Sequence, residues 1–162
     1  MDRVKGFTML EVLISILVVT IGVLASYSVV QQIFAMTFIS SSRLTAAYLA
    51  EEGMEVVRNI RDTAWVADVE WNNNGLLTQT YQASSQGYSL SSCAGCGYDE
   101  LSFLKSDGSL GFNYSTGTDT KFKRRITLDR SGDSITVSVD VMWRERGVLH
   151  TVNVQGYIYN WL

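Results

Sequence analysis

A carboxylate inside an oily segment is the first group in this 162-residue chain whose type and place could do chemistry. Glu11 is the one charged residue between Lys5 and Arg43, and it stands five residues after Gly6. A carboxylate in a lipid-facing helix is unfavourable by roughly 2.5 kcal/mol or more on insertion scales, so a residue kept there calls for a partner. The nearest candidate is an amine, which a cut after Gly6 would create on Phe7. Cys93 and Cys96 form a second constellation, in Cys93-Ala94-Gly95-Cys96. It admits a zinc site, a redox pair, or a small disulfide that stiffens its loop. Zinc would require four ligands, and the chain adds only the distant His150 to its two cysteines. A thioredoxin-like motif would require a βαβ setting, whereas Ser84 to Gly97 is rich in Ser and Gly and reads as loop. A third cluster, Lys121, Lys123, Arg124 and Arg125, is the only basic one and could meet phosphates. Strand alternation would point Lys123 and Arg125 outward and put Arg124 on an apolar face. His150 also falls on an apolar face. With one histidine and no nucleophile motif before a helix, no catalytic pair, metal set or cofactor motif is visible, and the chain reads as a non-enzyme.

The elements that must position these groups divide into an N-terminal helical half and a C-terminal strand half. Proline is absent from the whole chain. From Thr8 to about Asp62 nothing stops a helix, and the only glycines within it are Gly22 and Gly53. A helix of about 55 residues would run roughly 80 Å at 1.5 Å per residue, far more than a bilayer requires. The apolar run to Val30, continuing in character to Ile39, predicts a membrane-spanning segment over residues 7–39. Arg3 and Lys5 before it predict an N-terminus inside the cell. Leu44, Ala47, Ala50, Met54, Val57 and Ile60 recur at three- and four-residue steps, predicting an amphipathic helix over residues 40–62. On its outer face Glu55 can meet Arg58, and Arg58 can meet Asp62.

Residues 63–162 read as a globular head. Asn72-Asn73-Asn74-Gly75 is a turn signal. Leu77, Gln79 and Tyr81 suggest a short strand, and Leu101 to Leu104 and Gly111 to Tyr114 suggest two more around an Asp107-Gly108 turn. Phe122, Arg124, Ile126 and Leu128 alternate with polar residues. Ser131-Gly132 reads as a turn. Ile135, Val137, Val139, Val141 and Trp143 then share one face, and Arg144 to Gly147 turns the chain again. Val148, Val152, Val154 and Ile158 form the next face. This is an antiparallel meander with one face buried, and the amphipathic half of the helix is the partner for that face. The expected fold is α+β: a long N-terminal helix packed on a C-terminal antiparallel sheet. Trp161 and Leu162 would end the chain as a contact surface or as the last residues of the sheet. A net charge of −3 gives no overall attraction for nucleic acid.

Gly6-Phe7-Thr8-Met9-Leu10-Glu11-Val12-Leu13-Ile14-Ser15 resembles the class III signal of type IV prepilins and pseudopilins. Ala46-Ala47-Tyr48-Leu49-Ala50-Glu51-Glu52-Gly53-Met54-Glu55-Val56-Val57-Arg58-Asn59 is similar to minor pilins known as pilus-modification proteins. The resemblance implies that residues 1–6 are a leader, removed after Gly6 by a prepilin peptidase. It implies that Phe7 becomes a methylated N-terminus and that Glu11 meets the Phe7 amine of a neighbouring subunit. It also implies a pilin-like head, and other pilins as partners through the N-terminal helix. The protein would sit in the cytoplasmic (inner) membrane before joining an extracellular or periplasmic filament. Many major pilins carry a proline near Gly22; this chain has none, which leans toward a minor subunit. A pseudopilin of a type II secretion or DNA-uptake machine, and a lone membrane-anchored binding module, are the alternatives. DNA binding itself is not expected. A secretory signal cut near Val23-Leu24-Ala25 would explain the basic start but not Glu11. A plain anchor would explain the length alone.

Overall fold

The computed structural model describes residues 6–84, 87–93, 95–108 and 111–160, leaving the side chain of Asn72 aside. Arg3, Lys5, Ala94, Trp161 and Leu162 lie outside the described residues. One helix, α1 (Met9–Val66), is followed by a 3-10 turn (Trp71–Asn73). The strands are β1 (Gln79–Ser84), β2 (Ser89–Ser92), β3 (Lys105–Ser106), β4 (Phe112–Asn113), β5 (Thr118–Asp119), β6 (Phe122–Ser131), β7 (Ser134–Glu145) and β8 (Val148–Tyr159). The layout is the expected α+β one, a long N-terminal helix with a C-terminal antiparallel sheet. The chain divides into two compact units, Met1–Ser41 and Ser42–Leu162.

In the second unit the main sheet has the order β2-β1-β6-β7-β8, antiparallel throughout. Its meander forms because β-branched residues alternate with polar ones, so a single register buries every second side chain. Ile126, Leu128, Ile135, Val137, Val139, Val141 and Trp143 are all buried. Each fully buried aliphatic side chain contributes about 1.5–3 kcal/mol of transfer free energy. The β7–β8 hairpin closes through Arg146 and Gly147, at φ 52° and 79°. Two consecutive left-handed residues make the turn whose twist matches the strands.

The buried stripe of α1 is Ser42, Ala46, Leu49, Ala50, Gly53, Val56 and Val57. It is displaced from the periodic set expected from hydropathy: Leu44 is exposed, and Gly53 and Ala46 face inward instead. The reason is space. A Cβ at Gly53 would stand 3.0 Å from both Arg124 Cδ and Val139 Cγ1, so only small residues let the helix lie this close to β6 and β7. The helix runs on to Val66 and ends in a Schellman motif. Val69 N–H donates to Ala64 O at 2.9 Å and Asp68 N–H to Trp65 O at 3.0 Å, with Asp68 at φ 56°.

Four local expectations are corrected. The Ser84–Gly97 loop contains β2, paired with β1 from Tyr81↔Ser92 to Ser84↔Ser89; Ser-rich segments pair readily when a neighbouring strand offers a ladder. Leu101 to Leu104 forms no strand, because Leu101 and Leu104 are buried as individual anchors of a loop. The small second sheet pairs Lys105–Ser106 with β4 and β5 instead. Arg58 meets Glu55 at 2.5 Å as expected, but Asp62 pairs with its neighbour Arg61. Lys123, expected in solvent, is buried on the sheet face opposite the helix. Its ammonium stands 4.5 Å from the Tyr98 ring centre and 4.4 Å from that of Phe103, and it donates to Tyr98 O at 2.9 Å. The loop carrying Tyr98 and Phe103 folds over that face, which alternation within β6 cannot reveal.

Candidate functional site

Gly6, Phe7 and Thr8 precede the first turn of α1 and are exposed. A Cβ at Gly6 would meet nothing within 4 Å, and Phe7 is 81% exposed. The helix starts where it does because Thr8 caps it. Thr8 Oγ1 accepts the Glu11 N–H at 3.3 Å, and Thr8 O accepts the Val12 N–H at 3.3 Å. Thr8-Met9-Leu10-Glu11 therefore has the spacing of a capping box, with the glutamate at the third helical position. A carboxylate there also complements the positive end of the helix dipole. This local role was legible in the Thr-x-x-Glu spacing and adds to the pairing expected of Glu11.

Beyond Glu11 the first unit presents exposed, mostly apolar side chains from Val12 to Val30, followed by Gln31 and Gln32. Its hydroxyls turn back on the helix: Ser15 donates to Glu11 O at 2.7 Å, Thr20 to Ile16 O at 2.7 Å, Ser26 to Gly22 O at 2.9 Å, and Thr37 to Ile33 O at 2.9 Å. Hydroxyls satisfied within the helix can enter hydrocarbon without leaving a polar group unpaired. The helix is long and apolar enough to cross a membrane. Among the described residues, no ion pair reaches the Glu11 carboxylate.

The other constellations resolve into structural contacts. Cys93 and Cys96 are joined by a disulfide. Cys96 packs against Leu101 and Met142, while Arg125 donates to Cys96 O at 3.3 Å. His150 lies far from both cysteines in sequence and stacks on Trp143 at 5.3 Å between ring centres. All four members of the basic cluster are engaged: Lys121 with Glu145 at 3.2 Å, Lys123 with Tyr98 and Phe103, Arg124 with Glu52 at 3.8 Å, and Arg125 with Asp140 at 2.9 Å.

Where α1 enters the head, Glu145 gathers three donors on one oxygen. Ser42 Oγ, Lys121 Nζ and Trp143 Nε1 stand 3.1, 3.2 and 3.3 Å from Glu145 Oε2. Desolvation by itself would raise the carboxyl pKa, but the hydrogen bonds from Lys121, Ser42 and Trp143 outweigh it and hold the group below its ordinary value.

Residues 1–27 match the family model for the prokaryotic N-terminal methylation motif. No curated protein and no solved structure is detectably similar to the chain.

Proposed function

From an N-terminus of the type IV prepilin and pseudopilin family, we propose that this pilin-like chain is a minor structural subunit of a type IV pilus. A prepilin peptidase cuts after Gly6, and Phe7 becomes the methylated N-terminus. The chain waits in the cytoplasmic membrane with its head outside, then joins a filament or its initiating tip through α1. It works by packing, not by catalysis.

One observation carries this reading: a single carboxylate, Glu11, stands on the first turn of α1, in a mostly apolar stretch that holds no other charge before Arg43. Among packed N-terminal helices, the Phe7 amine of one subunit and the Glu11 carboxylate of the next would offset each other's desolvation. A helix lacking the pair would be penalised. The engaged basic cluster gives no support to a DNA-uptake role for the head. A pseudopilin of a secretion machine would share the same processing. A lone anchored module would not require it.

The test is N-terminal mass spectrometry of the protein isolated from membranes. The expected species begins at methylated Phe7, and a bulky residue at Gly6 leaves the precursor uncut. A mature N-terminus at Ser26 would overturn the proposal in favour of a secretory signal.

A further inference from the structure

The main sheet has two edges, and they differ. β2 is short, Ser89–Ser92, and β8 is long, Val148–Tyr159. Folded proteins blunt a long edge with lysine, proline, a bulge or an inward charge, because its unpaired N–H and C=O groups are a template for another strand. β8 has none of these. Its sequence, Val-Leu-His-Thr-Val-Asn-Val-Gln-Gly-Tyr-Ile-Tyr, carries no Lys, Arg, Asp, Glu or Pro. Its register with β7 runs without a break from Ser134↔Tyr159 to Glu145↔Val148.

The register also fixes which groups point outward. Asn160 N–H donates to Asp133 O at 2.9 Å, and the β7–β8 register sets these two residues opposite each other. Hydrogen-bonded pairs alternate along an antiparallel ladder. Val148, His150, Val152, Val154, Gly156 and Ile158 therefore bond to β7. Leu149, Thr151, Asn153, Gln155 and Tyr157 turn their N–H and C=O to the open edge, where they have no partner among the described residues. Tyr159 belongs to the same set, and its carbonyl accepts from Arg61 Nη1 at 3.3 Å, which closes the ladder at that end. On the face toward α1, Val152 and Val154 pack against the core yet stay half-buried. On the other face Thr151, Asn153, Gln155 and Tyr157 are exposed and neutral.

These features select an occupant. An extended backbone offers donors and acceptors at the spacing of the open ladder, about 7 Å between alternate residues. Its side chains would alternate, apolar beside Val152 and Val154 and polar beside Thr151 and Gln155, with no charge to answer. The β8 of a second copy is excluded by symmetry. Antiparallel pairing of two identical edges places a two-fold axis normal to the sheet, so the second α1 would cross its own sheet in the reverse direction. Two chains anchored in one membrane by the same end cannot meet in that way. Parallel pairing, about an axis along the strand, would set the valine face of one copy beside the polar face of the other. The β2 of a second copy, at four residues, is too short to fill the edge from Leu149 to Tyr157. We infer that the head captures along β8, as an added strand, an extended uncharged segment of a different protein with apolar and polar residues in alternation. The exclusion of a second copy rests on the membrane-anchored reading. The open edge does not, since it belongs to the Ser42–Leu162 unit.

The experiment uses the full chain in micelles, with amide exchange along β8 read by nuclear magnetic resonance. The probe is a synthetic peptide of alternating Thr and Val, about nine residues long to match the open edge, with a Lys at each end for solubility. The same peptide with every amide N-methylated is the control, since it has no backbone donors. In the free chain the amides of Thr151, Asn153 and Gln155 should exchange fast, and those of Val152 and Val154 slowly. The probe should slow the first set about tenfold or more and leave the second unchanged, and the control should do nothing. Gln155→Pro removes one outward N–H, at the kind of position where an edge strand accepts proline. It should weaken probe binding about tenfold or more, while Gln155→Thr binds as wild type. The inference is overturned if the probe leaves the outward amides of the wild-type chain unprotected up to its solubility limit, or if Gln155→Pro folds and binds it as well as wild type. It is also overturned if protection of those amides rises with protein concentration alone, which would make a second copy the occupant. The N-terminus of the mature chain tests the membrane-anchored reading separately.

Discussion

Arg124 Nη1 lies 3.8 Å from Glu52 Oε1, joining the centre of the sheet to the helix that covers it. Arg124 is wholly buried on β6, and it donates to Leu49 O at 2.9 Å and Ala83 O at 2.6 Å. The two charged groups are near enough to attract but too far apart to share a hydrogen bond. A buried cation of this kind requires its partners, because desolvation is offset only where they stand.

Removing both members should therefore cost less than the two single losses added together. Arg124→Met leaves Glu52 beside an apolar wall and two carbonyls short of a donor. It should lower head stability by about 3 kcal/mol, the scale for breaking a buried pair. Glu52→Gln should lower it by about 1 kcal/mol, since Glu52 keeps some access to water. The double variant should lose less than the sum of the two. Urea unfolding of the full chain in micelles, followed by tryptophan fluorescence, gives the three values. A strictly additive result would mean that the pair is not coupled.

Gly53 sits one residue further along the same helix turn. Ala is the better helix former by about 1 kcal/mol, so propensity alone favours Gly53→Ala. The added methyl, however, would stand 3.0 Å from Arg124 Cδ and Val139 Cγ1. Overpacking of this kind typically costs 1–3 kcal/mol, so the net effect should be destabilising by about 1 kcal/mol. Gly22→Ala meets nothing within 4 Å and serves as the control. If both substitutions stabilise the chain, the close approach of α1 to β6 is wrong.

The same close approach explains what the sequence could and could not tell. Long-range alternation in β6 and β7 was legible, because Ile126, Leu128 and Ile135 to Val141 repeat with period two and one face had to be buried. The helix was legible from the absence of breakers. Its inward stripe was not, because hydropathy rewards Leu44 and overlooks Gly53, which faces inward for its smallness. Nor was the burial of Lys123, since Tyr98 and Phe103 reach it from a loop that no local pattern places. At the N-terminus the Gly6, Phe7 and Glu11 spacing made the methylation motif over residues 1–27 legible.

Glu145 should make part of the head's stability depend on acidity. Its carboxyl is held below the ordinary value in the fold, and an unperturbed glutamate titrates near about 4.3. A group depressed in this way adds stability above the unfolded value and loses it as the pH falls through the folded one. Wild-type protein should therefore lose more thermal stability between about pH 5 and pH 3 than Glu145→Gln does. The comparison is of melting midpoints for the two proteins across that range. Equal slopes would show that the Ser42, Lys121 and Trp143 contacts do not hold the carboxylate in solution.

Glu11 has two physical roles to separate, a side chain at the third position of a capping-box spacing and a charge offered to a neighbour. Glu11→Ala removes both. Glu11→Gln keeps a side chain that suits the third position of a capping box but carries no charge. Membrane insertion should persist in both variants or improve, since an unfavourable group is gone. Cleavage after Gly6 should also persist, because the cut lies outside the changed position. Incorporation into filaments should fall at least tenfold in both, because the Phe7 amine of a neighbour would lose its partner. The measurement is the ratio of each variant in sheared filaments to its level in membranes. If Glu11→Gln enters filaments as well as wild type while Glu11→Ala does not, the cap is the working role and the inter-subunit charge pair is wrong for this chain. If both enter as well as wild type, neither role governs assembly.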